Sequence, residues 1–67
     1  MKRVFENPNF VDSEGDAFLL RHEIEGRTIW TYRNGEIVAS MSGLGPEEIE
    51  RNIQHFLRSG CHEVVEK

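Results

Sequence analysis

Cys61 stands between His55 and His62, and a thiolate with two imidazoles is a donor set suited to zinc or copper. The spacing is not that of a ligand motif, and the paired CxxC of structural zinc sites is absent. A histidine near a helix end more often serves the last carbonyls and the negative end of the helix dipole. Cys61 and His62 also invite reading as nucleophile and base. Adjacent residues on a strand project to opposite faces, so the two would not meet, and a helix C-terminus disfavours the thiolate. With one cysteine in the chain, no internal disulfide can form. His22 lies in a run of strand-like alternation and reads as a histidine at a sheet border, hydrogen-bonded to a neighbour.

The carboxylates divide into two groups. Glu47, Glu48 and Glu50 open a helical pattern, where they complement the positive end of the dipole and need no catalytic role. Asp12, Glu14 and Asp16 alternate around Gly15 like part of a calcium loop, without the regular positions or the terminal bidentate glutamate. Gly43-Leu-Gly45 precedes the helix and could offer N–H groups to an anion, but Pro46 removes one donor and three glutamates repel phosphate. The sequence contains no GxGxxG, Walker A, GxSxG or HExxH. The expectation is a chain that is not an enzyme, with no catalytic residues, no metal ligands, no cofactor and no small-molecule substrate.

The elements that position these groups follow from turn chemistry. Asn34-Gly35 lies between Arg27-Thr-Ile-Trp-Thr-Tyr-Arg33 and Glu36-Ile-Val-Ala-Ser-Met41, both rich in β-branched and aromatic residues. An Asn-Gly pair accepts the positive φ angles of a type I′ turn and predicts a hairpin. Residues 17–24 predict the preceding strand, turned at Glu25-Gly26. A two-residue turn there pairs Leu19 with Tyr32. A three-residue turn pairs Phe18 with Tyr32, Leu20 with Trp30 and Glu23 with Arg27, and is preferred because it gathers the large apolar groups on one side. The inner face is then Phe18, Leu20, His22, Thr28, Trp30, Tyr32, Ile37, Ala39 and Met41. Pro46 suits the first helical position, Ile49, Ile53, Phe56 and Leu57 form an apolar stripe, and Gly60 stops the helix. Residues 62–66 predict a short final strand. In residues 1–16, Val4-Phe5 reads either as an edge strand or as a loosely packed arm, and Asn7-Pro8-Asn9 as a turn.

The predicted fold is therefore α+β: a three-stranded antiparallel meander, with or without a further N-terminal strand, packed on one C-terminal helix and followed by a short strand. Residues 1–67 read as one small domain, near the lower size limit for a core built without disulfides or metal. Three antiparallel strands followed by a helix resemble the DNA-binding arm domains of tyrosine integrases and the plant AP2 domain, and the order β-β-β-α-β resembles the partial ribonuclease-H-like fold of HicB-type antitoxins, in which Gly45-Pro-Glu-Glu48 has a faint counterpart. The likeness is one of element order and transfers no functional residue. It implies a sheet face turned to DNA in the first case and a toxin-blocking surface in the second.

In the preferred register the outer sheet face carries Arg21, Arg27 and Arg33 among Leu19, Ile29 and Val38. An apolar strip framed by arginines is how binding faces look. The plainer reading is a solvated face with ion pairs Glu23–Arg27 and Arg33–Glu36. A net charge of −4 speaks against a generic nucleic-acid coat. No run approaches the length of a membrane span. These features predict a cytoplasmic interaction module of bacterial or phage type, a regulator, inhibitor or accessory subunit that binds a protein partner or itself. A sheet-mediated nucleic-acid-binding domain is the alternative.

Overall fold

The computed structural model describes residues 2–65. The elements are β1 (Lys2–Val11), β2 (Ala17–Glu25), β3 (Thr28–Arg33), β4 (Glu36–Met41), α1 (Pro46–Arg58) and β5 (His62–Val64). They build a sheet of order β4-β3-β2-β1-β5, antiparallel at every pairing, with α1 packed on one face. The expected α+β architecture is present, including the additional N-terminal strand. Glu66, the last residue of the predicted final strand, lies outside the described residues.

The N-terminal segment is an interior strand and not a loose arm. β1 pairs with β2 on one side and with β5 on the other. The predicted turn at Asn7-Pro8-Asn9 is instead a bulge within this strand, where the register shifts between Asn7 and Phe10. Proline fits there because β5 reaches only Val4–Glu6, leaving a free flank beyond Asn7. Asn7 holds the bulge, its Oδ1 accepting the Asn9 N–H at 3.1 Å and its Nδ2 donating to the Ser59 carbonyl at 3.3 Å.

The two hairpin turns decide the faces. Asn34 (φ +50°) and Gly35 (φ +85°) adopt the left-handed pair that a type I′ turn requires, and Arg33 pairs with Glu36 as expected. The preceding turn differs from both readings. Glu25 pairs with Thr28, so the loop is Gly26-Arg27, with Gly26 (φ +60°) in the first central position that a type II′ turn reserves for glycine. The preferred three-residue loop put Trp30 and Tyr32 inward. The observed pairing puts Ile29 and Thr31 beneath the helix and turns Trp30 and Tyr32 to the opposite face. The two-residue reading misplaced the turn but had the faces right, because its register differs from the observed one by two residues.

The core lies between α1 and the sheet. It contains Phe5, Ile24, Ile29, Leu44, Ile53, Phe56 and Cys61, with Leu20 and Ile49 packed at its margin. Of the predicted helical stripe, Leu57 is the exception and faces solvent. Gly45 caps the helix, its N–H donating to Glu48 Oε1 at 3.2 Å, and Pro46 occupies the first turn. At the other end the Cys61 N–H donates to the Phe56 carbonyl and the Gly60 N–H to the Leu57 carbonyl. With Gly60 at φ +95°, this is a Schellman stop. Among the described residues no helix is long and apolar enough to cross a membrane.

Candidate interaction surface

The sheet face opposite α1 carries no second layer among the described residues. Strand alternation and the pairing registers set two complete rows across it. One runs Ser40, Trp30, Glu23, Val4, Val64, and the next runs Ile37, Tyr32, Arg21, Glu6, His62. The β3–β4 half of the face is thus aromatic and aliphatic. The middle is an ionic lattice, and the β5 margin carries Val4 and Val64.

The lattice is tightly paired. Arg21 donates through Nε to Glu23 Oε2 and through Nη1 to Glu6 Oε2, both at 2.7 Å. Lys2 Nζ lies 3.5 Å from the other oxygen of Glu23. Val4 sits beneath these long side chains and is only 1% exposed, although the helix lies on the other side of the sheet. Trp30 and Tyr32 are half-buried, while Ile37 is largely open to solvent.

The six residues expected on the outer face do not form one constellation. Leu19 and Arg21 do lie there. Leu19 sits beside the type I′ turn, where its N–H donates to Asn34 Oδ1 at 3.0 Å. Ile29 is a core residue, 1% exposed, because the odd, three-residue difference in register carries it beneath the helix. Its replacement would open the core and not merely alter a surface. Arg27 occupies the exposed Gly26-Arg27 turn. Arg33 falls on the helix side beyond the end of α1, with its guanidinium carbon 4.4 Å from the centroid of the Phe18 ring. Phe18 in turn packs on Phe10 at 5.3 Å. Val38 is left without a cross-strand partner by a bulge, since Ile37 pairs with Tyr32 and Ala39 with Thr31. The predicted pairs Glu23–Arg27 and Arg33–Glu36 are also replaced. Glu23 meets Lys2 and Arg21, and Arg33 meets Asp12 at 3.5 Å.

Trp30, Tyr32 and Ile37 are the surface residues that the sequence reading placed inside. The available signal was the position of Gly26. Setting it first in a type II′ turn brings Ile24 opposite Ile29 on the helix side and sends both rings outward.

The titratable groups that could do chemistry are dispersed. His22 is buried, its Nδ1 hydrogen-bonded to Thr31 Oγ1 at 2.9 Å. Burial, with a smaller contribution from His55, lowers its pKa to about 4. Cys61 is buried in the core, which pushes its thiol pKa up and away from the reactive thiolate. His62 lies on the open face, across the sheet from Cys61. No group of three or more His, Cys, Asp or Glu among the described residues is placed to hold a metal ion. A shallow depression at the start of α1 is lined by Gly45, Pro46, Glu47, Glu48, Arg51 and Asn52. No buried side-chain polar atom lacks a partner among the described residues.

Comparison of the chain with protein-family models, curated proteins and solved structures found no match.

Proposed function

We propose that the chain is a small non-enzymatic protein-interaction module, a regulator, inhibitor or accessory subunit, whose partner sits on the open face of the sheet. The observation that carries this reading is the pair of neighbouring rings, Trp30 and Tyr32, on a sheet face without a covering layer. Aromatic side chains supply large contact area at low entropic cost and are the commonest anchors of protein interfaces. Ile37 extends the apolar strip to the sheet edge. The paired charges of Arg21, Glu6 and Glu23 border it as a polar rim. Because Arg21 is engaged by two carboxylates of its own chain, recognition rests on shape and apolar contact more than on carboxylates of the partner. The mechanism is occlusion: a rigid sheet covers an apolar patch on the partner.

Two rings on a sheet face also make a stacking platform for single-stranded nucleic acid, and this is the second reading. The charge opposes it. The central basic group of the face, Arg21, is paired with Glu6 and Glu23, and the chain carries −4.

The test is affinity capture from the source organism with wild type and with Trp30→Ser/Tyr32→Ser, after circular dichroism has shown both to be folded. Capture of one protein by the wild type and its loss in the variant supports the reading. Equal capture by both removes the face from consideration. Quenching of Trp30 fluorescence by oligonucleotides, falling steeply as salt rises, would put nucleic acid first.

A further inference from the structure

The sheet has one long free edge. Every residue of β4 is exposed, and the strand pairs with β3 alone. Ile37, Val38 and Met41 are 56%, 59% and 43% exposed. An unpaired edge offers a row of backbone N–H and C=O groups, a template for another extended chain, and proteins usually guard such edges with lysine or proline. β4 has neither. Its protection is Glu36 at one end and the bulge at Val38, which leaves the stretch after it in regular register with β3. The opposite edge is different in kind, since β5 has three residues and its Glu63 is held by two hydrogen bonds from Arg3 at 2.9 Å.

The charges at the two ends of β4 indicate what fits the edge. Glu36 marks the start of the strand. Arg27 lies beside the other end, where its carbonyl accepts the Leu44 N–H at 3.1 Å. Both side chains are exposed, and neither makes an ion pair among the described residues. An edge with a carboxylate at one end and a guanidinium at the other is complementary to itself when two copies run antiparallel. That arrangement is the isologous contact of a two-fold dimer. Glu36 of one copy then lies level with the Ser42–Leu44 end of the other. About two strand spacings, roughly 9.6 Å, separate it from the strand line of Arg27, which two long side chains can span.

We infer that the β4 edge is a homodimer interface, in which a second copy adds its own β4 antiparallel about a two-fold axis near Ala39 and pairs each Glu36 with the Arg27 of the other copy. The two sheets join into one, with Ile37 of both copies flanking the seam on the open face and Met41 on the helix side. The inference rests on the edge and its end charges and shares only Ile37 with the open-face reading.

Sedimentation velocity over a range of concentrations tests it, with the full chain and three variants, Glu36→Arg, Arg27→Glu and the double exchange. The wild type is expected to show a monomer–dimer equilibrium. Each single reversal should weaken it at least tenfold, and the double exchange should restore it. Circular dichroism and melting temperature verify that all four are folded, as these exposed positions should permit. A wild type that stays monomeric throughout, a dimer indifferent to the single reversals, or a double exchange that fails to rescue overturns the inference. A dimer that dissociates on Trp30→Ser but not on Glu36→Arg overturns it too, by moving self-association to the open face.

Discussion

The imidazole of His22 lies flat on the ring of Phe56, with 3.7 Å between centroids and 6° between planes. The contact ties the centre of β2 to the last turns of the helix through a group that must remain neutral. His22 in the folded protein takes up its proton only near pH 4, against about 6.5 for a free histidine. Between those values the unfolded chain binds a proton that the native state refuses. Stability therefore rises with pH through this window. The contribution is complete above about pH 6.5 and lost as pH falls towards 4, on the order of 3 kcal/mol in all. Urea unfolding at a series of pH values should show this slope, and His22→Phe should remove it. The variant should also lose about 1 kcal/mol at neutral pH from the unpartnered Thr31 hydroxyl.

Two aromatic residues on opposite faces of the sheet should answer differently to truncation. Phe56 touches Phe5 and His22 in the core, and Phe56→Ala should cost roughly 3–5 kcal/mol, much of what a domain this small possesses. Trp30 lies on the open face, so Trp30→Ser should cost no more than about 1 kcal/mol, as for cross-strand neighbours on a solvated sheet. Denaturant midpoints of the two variants decide the matter. Equal losses would contradict the observed register.

Much of this architecture was legible in local chemistry. Asn34-Gly35 identified its hairpin because few residues accept two successive left-handed conformations. Pro46, Ile53, Phe56 and Gly60 marked the helix, its buried side and its end. What misled was Gly26, since glycine serves the first central position of one turn type and the last position of another. The preferred loop and the observed one differ by three residues of register, and any odd difference reverses every side chain of β3. Gathering the rings inward favours the three-residue loop, whereas the fold fills its core with Ile24, Ile29 and Phe5 and leaves the rings of Trp30 and Tyr32 outside. Val4 and Phe5 were too short an apolar pair to declare β1, and the partner that completes that strand, β5, lies at the far end of the chain.

Gly60 holds two devices at once. Its φ of +95° closes the helix, and a Cβ there would meet Asn7 Nδ2 at 3.0 Å, disturbing the hydrogen bond from Asn7 to Ser59. Gly60→Ala should therefore cost about 1–2 kcal/mol from the backbone conformation alone. Gly43→Ala also places a side chain at positive φ, but with nothing within 4 Å, and should cost less. Thermal melts of the two variants give the comparison.

Cys61 and Trp30 provide built-in reporters on opposite faces. The buried thiol should react with an aromatic disulfide reagent only when the core opens, so its labelling rate tracks local stability and should rise sharply in Phe56→Ala. The half-exposed indole, the one tryptophan of the chain, should be quenched by acrylamide in the native protein. A thiol that labels at the rate of a free cysteine, or an indole shielded from quencher, would each contradict the placement described.

The pairing of β1 with β5 joins segments distant in sequence, with Arg3 and Glu63 sixty positions apart. A ribosome delivers the first strand early and its second neighbour only after the other strands and the helix. Until α1 emerges, the greasy side of the hairpins has no lid, and Phe5, Ile24 and Ile29 meet water or a chaperone. Until β5 has been made, β1 has a neighbour on one side alone.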